Sequence, residues 1–418
     1  MFRFKSARAI SFVLGCLLTS ALSAAPQLDD WAVWRGPNLN GHAAGEQTPP
    51  VEWSQDKNVI WGVRIPGRGH ASPTIVGDRI FLATCEGESQ SVICLSRTDG
   101  TQLWQTTINQ GGLPRRIHGN NTHASQTVVS DGERAFVVFY NNNRIQIAAL
   151  DFEGNVLWDK NVGSYRGKYP FGFGSSPIIY GDNVIATSDN LAESGIVAFN
   201  RETGDEAWKI DRPQVTSYST PVIAEISGKN QLLISGGNNV ISYDADTQEE
   251  LWRCPTAWEV SCATLVWDAE NQMVFSSGGF PAQQTLAISS DSGDKLWENP
   301  TKSYEQSMIY IDGYLYTLTD RGVCYCWNGE DGTEMWAQRL EGGVSASPVY
   351  VGGNIYFTAE SGTTYVVKAN PSEFVLVAEN ELGSEAFATP SFVDNRVFAR
   401  IGDSSGQQWL FCLGQDGG

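Results

Sequence analysis

The feature that most constrains this chain is a turn followed by a tryptophan that returns at even spacing. It reads DGTQLW to Trp104, EGNVLW to Trp158, TGDEAW to Trp208, TQEELW to Trp252, SGDKLW to Trp297 and DGTEMW to Trp336, at intervals of 54, 50, 44, 45 and 39 residues. Asp-Gly is a strong hairpin signal because the turn needs positive φ angles that glycine reaches without steric cost. A period of about 45 residues accommodates four short strands, the unit of a β-propeller blade.

A second series runs beside the first. Small-residue strings open β-branched, alternating runs: HASP at 70, HASQ at 123, GSSP at 174, YSTP at 218, SCAT at 261, YEQS at 304, SASP at 345 and FATP at 387. Each run, such as PTIVGDRIFLAT, has strand composition. This series has eight members, so two blades need their tryptophan explained. EFVLVA, near 373–378, fills the seventh place with Val377 where the tryptophan should stand. The eighth unit runs from FATPSFVDNRVFAR through QQWLFCLG and stops one strand short, whereas KNVIWGVRI at 57–65 ends a unit it never began, with Trp61 in register. Joining the first strand to the last three closes the ring and removes both sheet edges. The expected fold is all-β: a single eight-bladed propeller of four-stranded antiparallel blades over 57–418, preceded by an extended segment at 26–56.

In that fold the repeated tryptophans, Trp61 included, are core residues of the outer strands, each able to bury roughly 150–250 Å². Counting back from the turn glycines puts Cys94, Ala149, Ala198, Ser242, Ala287, Cys326, Val366 and Cys412 in one crowded slot of the third strand. The three cysteines there read as packing residues. Pairing of Cys85 with Cys94, or of Cys254 with Cys262, is left open by the sequence.

Residues 1–25 carry Arg3, Lys5 and Arg8, an apolar stretch from Ile10 to Leu18 and then ALSAAP, the pattern of a secretory leader. Export across the inner membrane to the periplasm or cell envelope is therefore expected. Cys16 closes a VLGC string that could serve as a lipid-attachment box, but the chain stays apolar beyond it and then offers a better small-residue site. No later segment approaches 18 continuous apolar residues, so no transmembrane segment is expected. Loss of the leader's three cations leaves 25 Lys+Arg against 47 Asp+Glu, a net charge of −22, which argues against nucleic acid or anionic lipid as partners. Seven cysteines remain, an odd number, so at least one thiol is unpaired.

With xDGxxLW turns, ASP strand openings and eight units, the chain resembles the pyrroloquinoline-quinone-like (PQQ-like) repeat propellers. It looks most like their non-catalytic secreted branch, represented by the propeller lipoprotein of the outer-membrane barrel assembly machinery. WAVWRGPNLNG, IPGRGHASP and YVVKANPSEFVLVAENELG carry that likeness, which spans about residues 31–414. It implies a protein-binding scaffold in outer-membrane assembly without a cofactor. The quinoprotein alcohol dehydrogenases share the repeat, and the resemblance implies for them a quinone on a tryptophan floor beside two adjacent cysteines, with calcium on carboxylate and amide ligands. Here the closest cysteines, Cys324 and Cys326, are not adjacent.

The strand-opening strings should gather around one mouth of the central channel. This ring offers Arg68, His70, His123, Phe173, Tyr218, Ser261, Tyr304, Gln306 and Phe387 as ligand or partner contacts. Two long loops, 105–121 with LPRRIHGNN and 162–173 with GSYRGKYPFGF, should rise on the same face and bring Arg115, Arg116, His118, Arg166 and Lys168 beside aromatics. The spacing of His118 and His123 matches no metal-ligand pattern, and no nucleophile elbow or phosphate-binding glycine loop is present. The expected function is a monomeric, non-catalytic scaffold that binds a protein or cell-envelope partner through its loop face. The alternatives are a dehydrogenase of alcohols or sugars using PQQ with calcium, and a small-molecule or glycan binder.

Overall fold

A computed structural model describes residues 30–415, so the leader and Cys16 lie outside the described residues. Among the described residues there is no helix, and the strands form eight four-stranded antiparallel sheets plus one two-stranded ribbon, Trp258–Val260 with Phe280–Pro281. The first blade shows the plan: Thr74–Val76, Arg79–Glu86, Ser89–Ser96 and Gln102–Gln110 follow one another from the channel outward. The inner three strands are almost wholly buried, whereas the outer strand alternates in exposure and faces water on one side. In the eighth blade, Ser391–Val393, Arg396–Gly402 and Gln408–Leu413 take Val59–Ile65 as their fourth strand, with Val59 opposite Leu413 and Arg64 opposite Trp409. The chain thus closes its ring by hydrogen bonds between its two ends.

Each repeated tryptophan stands directly opposite the small slot of the third strand: Trp104 opposite Cys94, Trp158 opposite Ala149, Trp208 opposite Ala198, Trp252 opposite Ser242, Trp297 opposite Ala287, Trp336 opposite Cys326 and Trp61 opposite Cys412. A small residue is needed there because the indole lies across it. Where the second strand carries a ring at the same register (Phe81, Phe136, Phe275, Tyr316, Phe398), the two rings lie 5.8–6.1 Å apart.

The indole also reaches the next blade. Its N–H donates to a backbone carbonyl in the neighbour's turn region: Trp61 to Arg97, Trp104 to Phe152, Trp158 to Arg201, Trp252 to Ser290, Trp297 to Gly329 and Trp336 to Asn370, at 2.7–3.3 Å. In five of the six the turn glycine of that neighbour, Gly100, Gly154, Gly204, Gly293 or Gly332, packs against the same ring. Gly154 has φ +89°, and a Cβ there would lie 2.7 Å from Trp104 Cδ2. The motif therefore has two ends: glycine accepts the previous blade's tryptophan, and the tryptophan latches the next blade.

The seventh blade departs from this rule. Its register places Ala378, not Val377, opposite Val366, because a bulge skips Val377. The volume is supplied from elsewhere: Trp53 stacks on Tyr356, the ring equivalent to Phe81, at 6.1 Å and 6°. Trp53 N–H bonds Asn380 Oδ1 at 2.8 Å, and Asn380 Nδ2 returns a bond to Val51 O at 2.9 Å.

Residues 30–56 cross the end of the channel towards which the inner strands run. Trp31 bridges Ile75 in blade one, and Ala32 O accepts from Ser130 N–H in blade two. Arg35 donates to Met308 O at 2.7 Å in blade six, Ala43 N–H to Tyr350 O in blade seven, and Thr48 N–H to Asn395 in blade eight. The seven described cysteines carry free thiols, so neither Cys85–Cys94 nor Cys254–Cys262 is bridged. Cys85 pairs across the ladder with Gln90, and Cys94 with Phe81, which puts the two thiols at different levels of the blade.

Candidate functional site

At the opposite mouth, one hydroxyl per blade stands in a belt around the channel, and hydrogen bonds join six of its eight steps. Ser72 N–H donates to Thr127 Oγ1, Thr127 N–H to Ser176 Oγ, Ser176 N–H to Thr220 Oγ1, Thr264 N–H to Ser307 Oγ, Ser307 N–H to Ser347 Oγ and Ser347 N–H to Thr389 Oγ1, all at 2.9–3.1 Å. Each bond joins neighbouring blades and satisfies a backbone N–H that has no ladder partner. The residue two positions before each hydroxyl faces the channel. These eight, His70, Ser125, Gly174, Tyr218, Cys262, Glu305, Ser345 and Phe387, all line one cavity of about 210 Å³.

The belt sets the true register of the strand-opening strings. The first residue of the string is the lining residue only where proline follows the hydroxyl. In HASQ the register lies two residues later and in SCAT and YEQS one later, so Ser125, Cys262 and Glu305 occupy the ring positions. His70, Tyr218, Tyr304 and Phe387 nevertheless line the cavity, joined from the loops by His118, Asn120, Asn121 and Phe171. Three expected ring residues turn into the protein instead. Gln306 is fully buried and donates to Leu318 O at 2.7 Å, Phe173 packs on Tyr165 at 5.6 Å, and Ser261 is enclosed. His123 lines a small separate recess with Phe173, and Arg68 lies on the rim, paired with Glu385 at 3.0 Å.

Trp34 forms the floor, its indole N–H donating to Thr264 Oγ1 of the belt at 3.0 Å. Along one wall His70 stacks on Phe387 at 4.2 Å and 11° while its Nδ1 donates to Asn120 O at 3.0 Å. Burial holds the His70 imidazole below its usual pKa, opposed by the nearby Glu385 carboxylate. Burial likewise pushes the Tyr218 and Tyr304 hydroxyls and the Cys262 thiol well above their ordinary values. Cys262 is thus held as a thiol, which is not a nucleophile. Ser345 Oγ lies 2.6 Å from Glu305 Oε2 and 2.7 Å from Glu360 Oε1. Asn120 Nδ2 approaches the same two oxygens at 3.5 and 3.4 Å.

The basic loop residues divide. Arg116, Arg166 and Lys168 line a second cleft of about 630 Å³ with Tyr140, Tyr165 and Tyr169. Lys168 pairs with Glu259 at 2.7 Å and Arg166 Nη2 donates to Leu191 O at 2.8 Å. His118 belongs to the central cavity, edge-on to Phe171 at 5.5 Å, and Arg115 is exposed outside both. Trp34, Asn120, Glu305, Ser345 and Glu360 were not singled out from the sequence. The hydroxyl before each inner strand is the signal that finds Glu305 and Ser345.

Pyrroloquinoline quinone is a tricarboxylate, and this cavity does not suit it. Trp34 offers a flat floor, but no Lys or Arg lines the cavity to pair with its carboxylates. Cys324 and Cys326 are buried in blade six, away from the cavity.

Comparison with known proteins places these features. A curated relative, outer membrane protein assembly factor BamB of Bordetella pertussis, is 23% identical over 361 residues, covering 81% of this chain and 82% of that protein. Among solved structures, BamB from Moraxella catarrhalis superposes with a TM-score of 0.59 at 14% identity over 84% of this chain and 98% of that one. A europium-containing methanol dehydrogenase superposes at 0.69 with 11% identity over 93% and 98%. At those identities the two structures speak for the fold alone. The family model described as outer membrane protein assembly factor BamB matches residues 46–190, 88–259 and 281–374, and the chain belongs to that family.

Proposed function

We propose that this chain is an exported, non-catalytic scaffold of the cell envelope that holds a protein partner in outer-membrane assembly against its loop face. The observation that carries this reading is the cleft of Arg116, Arg166 and Lys168 around Tyr169, with Phe280 38% exposed and edge-on to Tyr169 at 5.3 Å. Arginine beside exposed aromatics is the composition of a protein-binding surface, and it stands out on a chain with a large acidic excess. Family membership supports the partner class.

The test is in-cell crosslinking of the tagged chain, with mass spectrometry of the adducts, for the wild type and for the triple variant R116E/R166E/K168E. Adducts with outer-membrane assembly components that fall at least tenfold in the variant are expected. Unchanged adducts would place the interface on another face, and no assembly component among them would overturn the partner class.

A further inference from the structure

The polar groups that line the central cavity divide by whether the protein already uses them. His70 spends Nδ1 on Asn120 O and turns Nε2 towards Glu385 at 3.8 Å, so it offers the cavity its ring, stacked on Phe387. The Tyr218 hydroxyl turns towards Tyr165, and the Asn121 amide donates to Phe171 O and Phe173 O. Four other groups keep bonding capacity. Glu305 takes the Ser345 hydroxyl on Oε2 and has Oε1 to spare, Asn120 has its Oδ1, and Tyr304 has its hydroxyl. His118 accepts the Asn120 N–H on Nδ1 at 3.2 Å, which places the hydrogen of its neutral ring on Nε2. None of these four atoms has a hydrogen-bond partner among the described residues.

The spare set is mixed: two acceptors, one N–H donor and one hydroxyl that does both. No Lys or Arg lines the cavity, so an anion finds no counter-charge there, and a purely apolar ligand would strand all four groups. The rest of the lining is aromatic. Trp34 on the floor is half-buried, with its N–H held by Thr264 and its indole open to the cavity, and Phe171 and Phe387 add further rings. The electron-rich face of an indole suits the polarised C–H face of a saturated oxygen ring, and each hydroxyl of such a ring both donates and accepts.

We infer that the cavity on the Trp34 floor binds one neutral sugar ring in its pyranose form, with a C–H face on Trp34 and hydroxyls on Glu305, Asn120, Tyr304 and His118. The cavity, about 210 Å³, is closed beneath by Trp34 and the segment that carries it, so a glycan would enter by its end and not by its middle. The inference stands apart from the partner reading, because Arg116, Arg166 and Lys168 line the other cleft.

The test is calorimetric titration of the full chain with the methyl pyranosides of glucose, galactose and mannose. Cyclohexylmethanol serves as the ring without ring hydroxyls, and the corresponding methyl uronates as the anions. At least one neutral pyranoside should bind saturably, at least tenfold more tightly than cyclohexylmethanol and at least fivefold more tightly than its own uronate. E305Q and Y304F, which keep side-chain size, should each weaken it at least threefold, with thermal unfolding of the unliganded variants confirming that they fold. A disaccharide ending in that ring should bind more tightly than the methyl pyranoside if the ligand is a glycan end, and equally if it is a free sugar. Absence of saturable binding by all three pyranosides would overturn the inference. So would cyclohexylmethanol binding as tightly as the sugar, or sugar binding that is indifferent to both substitutions.

Discussion

The seventh blade and the other seven solve one packing problem in different ways. In most blades the outer strand supplies its own indole, laid over a small third-strand residue and bonded to the next blade's turn. In the seventh, the outer strand supplies Ala378, the third strand the larger Val366, and the indole arrives as Trp53 from a segment more than 300 residues away in sequence. What the structure demands is a flat ring over the second-strand core residue, not a tryptophan at a fixed sequence position. The difference also shows that residues 50–53 are part of the seventh blade's packing and not a tether leading to it.

Breaking the borrowed latch should give the largest effect. Trp53 is 6% exposed, and replacing a buried tryptophan by alanine costs about 3–5 kcal/mol. W53A should lower stability as much as W104A does, read as the midpoint of denaturant unfolding. Adding A378W to W53A should recover part of the loss by returning the indole to its own strand. If W53A cost under about 1 kcal/mol, the seventh blade would need no latch and the comparison would fail.

The other end of the motif gives a smaller, sharper effect. Gly154→Ala places a Cβ 2.7 Å from Trp104 Cδ2 at a φ of +89°, so both strain and overlap oppose it, and about 1–3 kcal/mol should be lost. Gly181 is also left-handed, φ +55°, but a Cβ there meets nothing within 4 Å. Gly181→Ala should cost only the backbone strain, about 1 kcal/mol. Equal losses at the two positions would mean that the glycine serves its turn alone and not the tryptophan of the blade before it.

The outer belt was legible in the sequence because its chemistry repeats. A turn glycine, a small slot and an indole recur with the blade period, and the register of every tryptophan follows from them, including Trp61 across the closure. The central mouth was less legible because its identity changes at each blade. Only a hydroxyl repeats there, and where proline does not follow it the strings HASQ, SCAT and YEQS mislead by one or two residues. Gln306 looked like a channel residue and is a buried backbone clamp; Glu305 beside it is the residue that faces the cavity. Trp34 and Trp53 stood outside any period. They come from the segment that crosses the channel, and only the closed ring shows what they cover.

That crossing segment should also respond to acid in a way the outer belt does not. His42 Nε2 donates to Tyr310 O at 2.8 Å and the ring stands edge-on to Tyr350 at 5.2 Å, tying the segment to blades six and seven. Burial holds its imidazole below the usual 6.5, with Arg35 adding to the effect and the Tyr310 carbonyl opposing it. Above pH about 6.5 the ring is neutral in both folded and unfolded chains, and its contribution is complete. As the pH falls below that value the unfolded chain binds the proton first, so stability declines until the pH reaches the folded pKa. Each unit of depression is worth about 1.4 kcal/mol. Amide exchange should quicken at Ala43 and Tyr350 between pH 7 and 5, after correction for intrinsic rates, while the ladder beside Trp104 holds its protection. His70 and His123 are lowered by burial as well, so the wild-type slope is shared. H42Q should therefore flatten only the part seen at the crossing segment. An unchanged slope there would mean that the segment is held by Trp31, Arg35 and Trp53 alone.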